Sequence, residues 1–121
     1  MSFTSRVLAS FRHRGGLRFT SFSILNPPRG ANITINCSGG KKKGCPFATN
    51  SQVVPDGSRQ LQLLSKVKTA KLKAGAIIEV RILRKDAIGK VSQYKVPKGT
   101  KKLPKEVKSC MGPTDAKPRK C

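Results

Sequence analysis

Residues 76–83, Ala-Ile-Ile-Glu-Val-Arg-Ile-Leu, place Ile78, Val80 and Ile82 on one parity and Glu79 and Arg81 on the other. Alternation of β-branched and charged residues at period two is the mark of a strand with one buried face. Residues 31–37, Ala-Asn-Ile-Thr-Ile-Asn-Cys, repeat the pattern, with Ile33, Ile35 and Cys37 on one face and Asn32, Thr34 and Asn36 on the other. Ahead of this second strand, Asn26-Pro27-Pro28-Arg29-Gly30 reads as a turn, with proline fixing φ and glycine permitting a positive one.

Working outward, Ser38 to Gly44 reads as a flexible basic loop, and a short strand is expected from Phe47 to Val54. Pro55-Asp56-Gly57-Ser58 is a strong turn signal, after which Leu61, Leu63 and Leu64 suggest another strand. Ser65 to Lys73 is open between a helical turn and coil, with Val67, Ala70 and Leu72 facing the core in either case. A turn at Arg84–Ala87 leads to a last strand from Ile88 to Val96, in which Ile88, Tyr94 and Val96 share a parity. Six or seven short strands divided by Gly and Pro turns predict an all-β sandwich or barrel, and an immunoglobulin-like or fibronectin-III-like sandwich is the economical choice.

The two ends read differently. Residues 1–25 are rich in Ser and Arg and hold no acid, the composition of a mitochondrial transit peptide. Against that, Leu17, Phe19, Phe22 and Ile24 suit a first strand whose alternation slips between Phe19 and Phe22, as at a β-bulge. The expected division is a basic arm over 1–16, a β-sandwich domain over 17–97, and a basic tail over 98–121 packed on the domain. The tail carries Pro104, Pro113 and Pro118, dense lysine and no apolar periodicity. No apolar core of roughly 7–15 residues follows Arg6, so an extracellular reading expects the export signal outside this sequence.

Twenty-six Lys and Arg against 5 Asp and Glu give a 121-residue chain a formal net charge of +21. That is length for one domain, and no stretch approaches the ~20 apolar residues of a membrane span. The excess charge attracts polyanions: nucleic acid, anionic lipid or acidic wall polymers. The plainer reading is a solvated lysine surface that keeps a β protein soluble. Lys41, Lys42 and Lys43 stand out as a contact element, because flanking glycines let the backbone approach a polyanion; Lys101, Lys102 and Lys105 in the tail are the second group. Single-strand binders interleave aromatics for base stacking, and aromatics make up only 5% of this chain. Nucleic-acid binding would be phosphate-driven, sequence-blind and steeply salt-dependent.

No catalytic constellation is expected, and no cofactor. The phosphate-loop, dinucleotide and zinc-protease motifs are absent. His13, the only histidine, lies in the arm between Arg12 and Arg14 and is no base for a cysteine nucleophile. Glu79 reads as a surface ion pair with Arg81, and Asp86 as a turn former. The sequons at Asn32 and Asn36 lie along a strand and read as chance.

Four cysteines allow three pairings. Cys37 and Cys45 are close enough in sequence to close a loop between neighbouring strands, and Cys110 and Cys121 are similarly spaced, so two local disulfides are expected. Zinc sites favour cysteines two to four residues apart, which neither pair provides; free buried thiols are the other alternative.

Three segments together carry a resemblance: Pro28-Arg29-Gly30-Ala31 through Cys37-Ser38-Gly39 to Gly44-Cys45-Pro46-Phe47; Leu72-Lys73-Ala74-Gly75-Ala76 through Ile78-Glu79-Val80 to Ile88-Gly89-Lys90; and Tyr94 with Lys98-Gly99, leading to Cys110 and Cys121. Over residues 17–121 the chain resembles a small Cys-containing, immunoglobulin-like β-sandwich module of predicted secreted or surface proteins of soil actinobacteria. The Leu72-x-x-Gly75 step into a strand is also similar to the penultimate strand of fibronectin type III domains. The resemblance implies a fold and a location but no activity.

The leading expectation is therefore a non-catalytic secreted or cell-surface module, stapled by disulfides, whose basic surface binds anionic envelope or wall polymers. The alternative is an intracellular or organellar RNA- or DNA-binding protein in the manner of a small ribosomal protein.

Overall fold

The computed structural model describes residues 5–13, 16–55, 59–68, 70–84, 89–98, 102–112, 115 and 117–121. Its framework grows from the two segments that alternate most cleanly. β3 (Asn32–Ser38) pairs antiparallel with β6 (Ile77–Leu83), setting Ile33 opposite Ile82, Ile35 opposite Val80 and Cys37 opposite Ile78. Residues directly opposite point to the same face, so this register gathers all six side chains on one side of the sheet. All six are buried. A slip by one residue would exchange them for Thr34, Asn36, Glu79 and Arg81.

β4 (Thr49–Val53) flanks β3, while β7 (Gly89–Lys95) and then β8 (Glu106–Met111) flank β6, giving a five-stranded antiparallel sheet in the order β4-β3-β6-β7-β8. The second sheet has three strands in the order β1-β2-β5: β1 (Arg6–His13), β2 (Leu17–Leu25) and β5 (Gln60–Gln62). The inner faces of both sheets contribute to one hydrophobic core, the arrangement of a β-sandwich. Phe11 joins the layers, its ring 4.6 Å from Phe19 in its own sheet and 5.6 Å from Tyr94 in the other.

The expected slip in the first long strand is a β-bulge. Ser10 pairs with Ser21 and Phe11 with Phe19, so Thr20 is the extra residue. The extra residue restores parity, and Leu17, Phe19, Phe22 and Ile24 all reach the core. One helical turn, α1 (Leu64–Val67), opens the segment left between helix and coil and takes in Leu64, expected with Leu63 in the preceding strand; Val67, Ala70 and Leu72 are buried as expected.

The strand count departs from the expected six or seven: eight strands lie among the described residues. Both extra strands come from the ends. Residues 6–13, read as part of an arm, form β1, in which Val7, Ala9 and Phe11 face inward between exposed Arg6, Leu8, Ser10 and Arg12. Its Arg/Ser composition hides a weak alternation. Residues 106–111, read as part of a tail without periodicity, form β8 at the sheet edge. Its pattern is faint because an edge strand buries little, and Val107 is 60% exposed. The expected turn residues 56–58 and 85–87, together with Ile88, lie outside the described residues.

The Phe22 ring is fully buried and stacks on Phe19 at the bulge. Phe22→Ala is expected to cost about 3–5 kcal/mol in urea unfolding. A cost under about 1 kcal/mol would contradict the shared core.

Candidate polyanion interface

Four chain segments meet at the end of the sandwich where β3 finishes and β6 begins. The first is the β3–β4 connection. Cys37, near the end of β3, is bonded to Cys45, with Cα atoms 5.7 Å apart. Between them Lys41–Lys43 form one turn of 3-10 helix. The Lys43 and Cys45 amides donate to the Gly40 carbonyl (3.1 and 3.2 Å), and the Gly44 amide donates to the Lys41 carbonyl (3.1 Å). The loop expected to be flexible is thus a closed, hydrogen-bonded turn.

The second segment, 70–76, packs against this turn. The Lys73 amide donates to the Lys43 carbonyl (2.9 Å), and the Lys43 ammonium donates to the Ala74 carbonyl (3.0 Å). Gly44 makes the approach possible: its φ is +87°, and a Cβ there would overlap the Lys71 carbonyl. The third segment is the β1–β2 turn region, tied to the second because Leu17 and Leu72 exchange backbone hydrogen bonds of 3.0 and 2.8 Å. The fourth runs on from β7, where the Gly75 amide donates to the Val96 carbonyl (3.0 Å) and the His13 ring donates from Nε2 to the Lys102 carbonyl (2.6 Å).

The result is a cationic pole. Lys41, Lys42, Lys71, Lys73, Lys98, Lys102 and Lys105 are all exposed. No Asp or Glu occurs in residues 12–18, 39–48, 70–76 or 95–105. Arg12 and Arg18 stand directly opposite one another across β1 and β2. Of the lysines singled out in sequence, Lys41, Lys42, Lys43, Lys102 and Lys105 come together here, with Lys43 committed to the Ala74 carbonyl; Lys101 lies outside the described residues. Lys71, Lys73 and Lys98 join them, a proximity that no local pattern signals.

The carboxylates nearest this end are already engaged. Glu79 sits on the outer face of the five-stranded sheet in a ladder of polar side chains. Its carboxylate accepts from Asn36 (3.1 Å) and Gln93 (2.6 Å) and pairs with the Arg81 guanidinium, while Thr49 donates to the Asn36 side chain (3.0 Å). Burial by itself would raise the Glu79 pKa; hydrogen bonds from Gln93, Asn36 and Arg81, with the Arg81 charge, outweigh it and hold the pKa below the ordinary value. Glu106 accepts from the Tyr94 hydroxyl at 3.0 Å, and burial together with that carboxylate pushes the Tyr94 pKa up. Asp115 pairs with Arg119 at 3.0 Å. Asp56 and Asp86 lie outside the described residues.

Both expected disulfides are present. Cys110 bonds Cys121 with Cα atoms 4.8 Å apart, and Cys110 and Arg119 exchange backbone hydrogen bonds of 2.7 Å. With every thiol oxidised, neither a four-cysteine zinc site nor a set of free thiols is formed. Among the described residues no group of three or more His, Cys, Asp or Glu is placed to hold a metal. No helix among them is long and apolar enough to cross a membrane. Comparison with protein-family models, curated proteins and solved structures finds no match to this chain.

Two outcomes follow from this geometry. A depressed pKa in the folded state means that Glu79 stabilises the fold fully above the unfolded carboxylate value and loses that contribution as pH falls through the folded value. Glu79→Gln is therefore expected to cost about 1–3 kcal/mol near neutral pH and to flatten the acid limb of a stability–pH profile; an unchanged limb would remove Glu79 from that role. Reduction of both disulfides is expected to cost about 2–4 kcal/mol for each loop opened, read as a marked fall in melting temperature.

Proposed function

We propose that this protein is a non-catalytic, disulfide-stapled module of the cell exterior that binds anionic envelope or wall polymers through the cationic pole. The observation that supports the reading is the convergence of exposed lysines from distant segments on one end of the sandwich, where the nearest carboxylates, Glu79 and Glu106, are engaged by Asn36, Gln93 and Arg81 and by Tyr94. A surface lysine coat serving solubility alone has no need of such convergence, since mixed charge serves as well. The pole presents a spread of exposed ammonium groups, which suits a linear, repeating anion.

The disulfides favour an oxidising compartment, and with it the extracellular location. The immunoglobulin-like reading draws support from strand order. Taking β1, β2, β3, β4, β5, β6 and β7 as A, B, C, C′, E, F and G gives sheets A-B-E and C′-C-F-G, the order of that family of sandwiches, with β8 added beside G. The resemblance to actinobacterial surface modules points the same way.

RNA or DNA is the competing polyanion. Phe11, Phe19, Phe22, Phe47 and Tyr94 are all buried or half-buried, so among the described residues no aromatic platform stands beside the lysines for base stacking.

The test is a titration with a wall-type polyanion, such as a teichoic acid, and with single-stranded RNA at several salt concentrations. Combined Lys41→Ser, Lys42→Ser and Lys71→Ser is expected to weaken wall-polymer binding and flatten its log–log salt dependence, whereas Lys117→Ser with Lys120→Ser at the opposite end leaves both unchanged. For a duplex-like polyanion each lost phosphate contact would remove roughly 0.9 from the slope. Equal effects of the two variants would overturn the polar reading, and tighter binding of RNA than of wall polymer would make the nucleic-acid reading the answer.

A further inference from the structure

Each sheet has two edges, and among the described residues three of the four are protected. β1 carries Arg6, Arg12 and His13, the Lys90 ammonium caps the Ser5 carbonyl at its start (3.0 Å), and the Lys102 carbonyl meets the His13 ring at its end. β5 is only three residues long. β8 carries Glu106 and Lys108 and is crossed by the segment at Arg119. Charge, shortness and cover are the devices by which natural sheets block edge-to-edge pairing. β4, Thr-Asn-Ser-Gln-Val, has none of them: it is five residues long, uncharged, without proline, and unbulged in its pairing with β3.

Its backbone is set for a partner. The Cys37 amide donates to the Ala48 carbonyl and the Val54 amide to the Ala31 carbonyl. Antiparallel alternation therefore turns Ala48, Asn50, Gln52 and Val54 toward β3 and leaves the N–H and C=O groups of Thr49, Ser51 and Val53 pointing out of the sheet edge.

We propose that β4 pairs antiparallel with β4 of a second copy of this chain, extending the five-stranded sheet across a twofold axis at Ser51. In that register Ser51 meets its own copy and Thr49 meets Val53, so every outward backbone group of these residues finds a partner. Val53, 61% exposed in one copy, is covered by the opposing Thr49. The same register sets Asn50 opposite Gln52 of the second copy at a non-hydrogen-bonded pair, where side chains approach closest.

Charge selects a like copy at this place rather than another. Two chains of +21 repel, so self-contact must form where charge is absent. Residues 44–55 contain no Asp, Glu, Lys or Arg, and neighbouring β3 adds only Asn, Thr and Ser to the outer face. A polyanion has no reason to prefer this strip.

Sedimentation equilibrium of the full chain tests the pairing. Screening weakens repulsion between copies, so the dimer is expected to tighten between ~0.1 M and ~1 M sodium chloride, where the screening length falls to roughly 3 Å. Polyanion binding moves in the opposite direction, so the two proposals fail separately. Ser51→Lys, an exposed position whose introduced ammonium groups would face each other across the axis, is expected to weaken the dimer ~10-fold or more with an unchanged melting temperature. Val107→Lys on β8 should leave the dimer intact. A wild-type chain that stays monomeric at ~1 M salt, a dimer indifferent to Ser51→Lys, or equal weakening by Val107→Lys would each overturn the proposal, as would association only with an unrelated extended peptide.

Discussion

The register between β3 and β6 is the constraint from which the rest follows. Once Ile33, Ile35 and Cys37 lie against Ile82, Val80 and Ile78, the inner and outer faces of the larger sheet are assigned for every strand that joins it. Asn36 and Glu79 then fall opposite each other on the outer face, and the carboxylate is met by amides rather than by water. Cys37 falls on the inner face one residue from the end of β3, where a sulfur can reach back to Cys45 only if the intervening chain closes into a tight turn. The lysine turn is thus a consequence of core packing, and so is its position against residues 71–75.

Legibility in the sequence followed the strength of alternation. β3 and β6 were readable because Ile33, Ile35, Cys37, Ile78, Val80 and Ile82 occupy the inward positions while Asn32, Thr34, Asn36, Glu79 and Arg81 stand between them facing outward. The bulge at Thr20 was readable for the opposite reason: a parity break between two runs of large apolar residues is what one inserted residue produces in a strand with a buried face. β1 and β8 were not readable. Alanine at position 9 and charged residues at the flanks dilute the first, and the second lies at a sheet edge where little is buried and no alternation is imposed, so that even Val107 is exposed. Pairing supplies what pattern lacks, since both strands add to sheets whose neighbouring strands are already fixed.

The disulfides were legible from spacing because each closes a local loop. The cationic pole was legible only in part. Lys41–Lys43 announce themselves as a run, yet Lys71 and Lys73 enter from a distant segment whose close approach needs glycine at position 44, and Lys98 enters from a third, tied through the Gly75–Val96 hydrogen bond. A basic cluster seen along a sequence shows charge density; only the fold shows that the nearby Glu79 and Glu106 carboxylates are held by Asn36, Gln93 and Tyr94.

The antiparallel path also brings distant parts of the chain together. β1 sets out from Arg6, and Cys121 is fastened to Cys110 near the finish of β8, both at the end of the sandwich away from the Lys41–Lys43 turn; Ser5, Arg6, Cys110 and Cys121 line one cleft there with Lys90 and Lys108. Each end of the larger sheet thus holds one covalent loop, Cys37–Cys45 at one and Cys110–Cys121 at the other, so the two cross-links fasten opposite ends of the same set of strands.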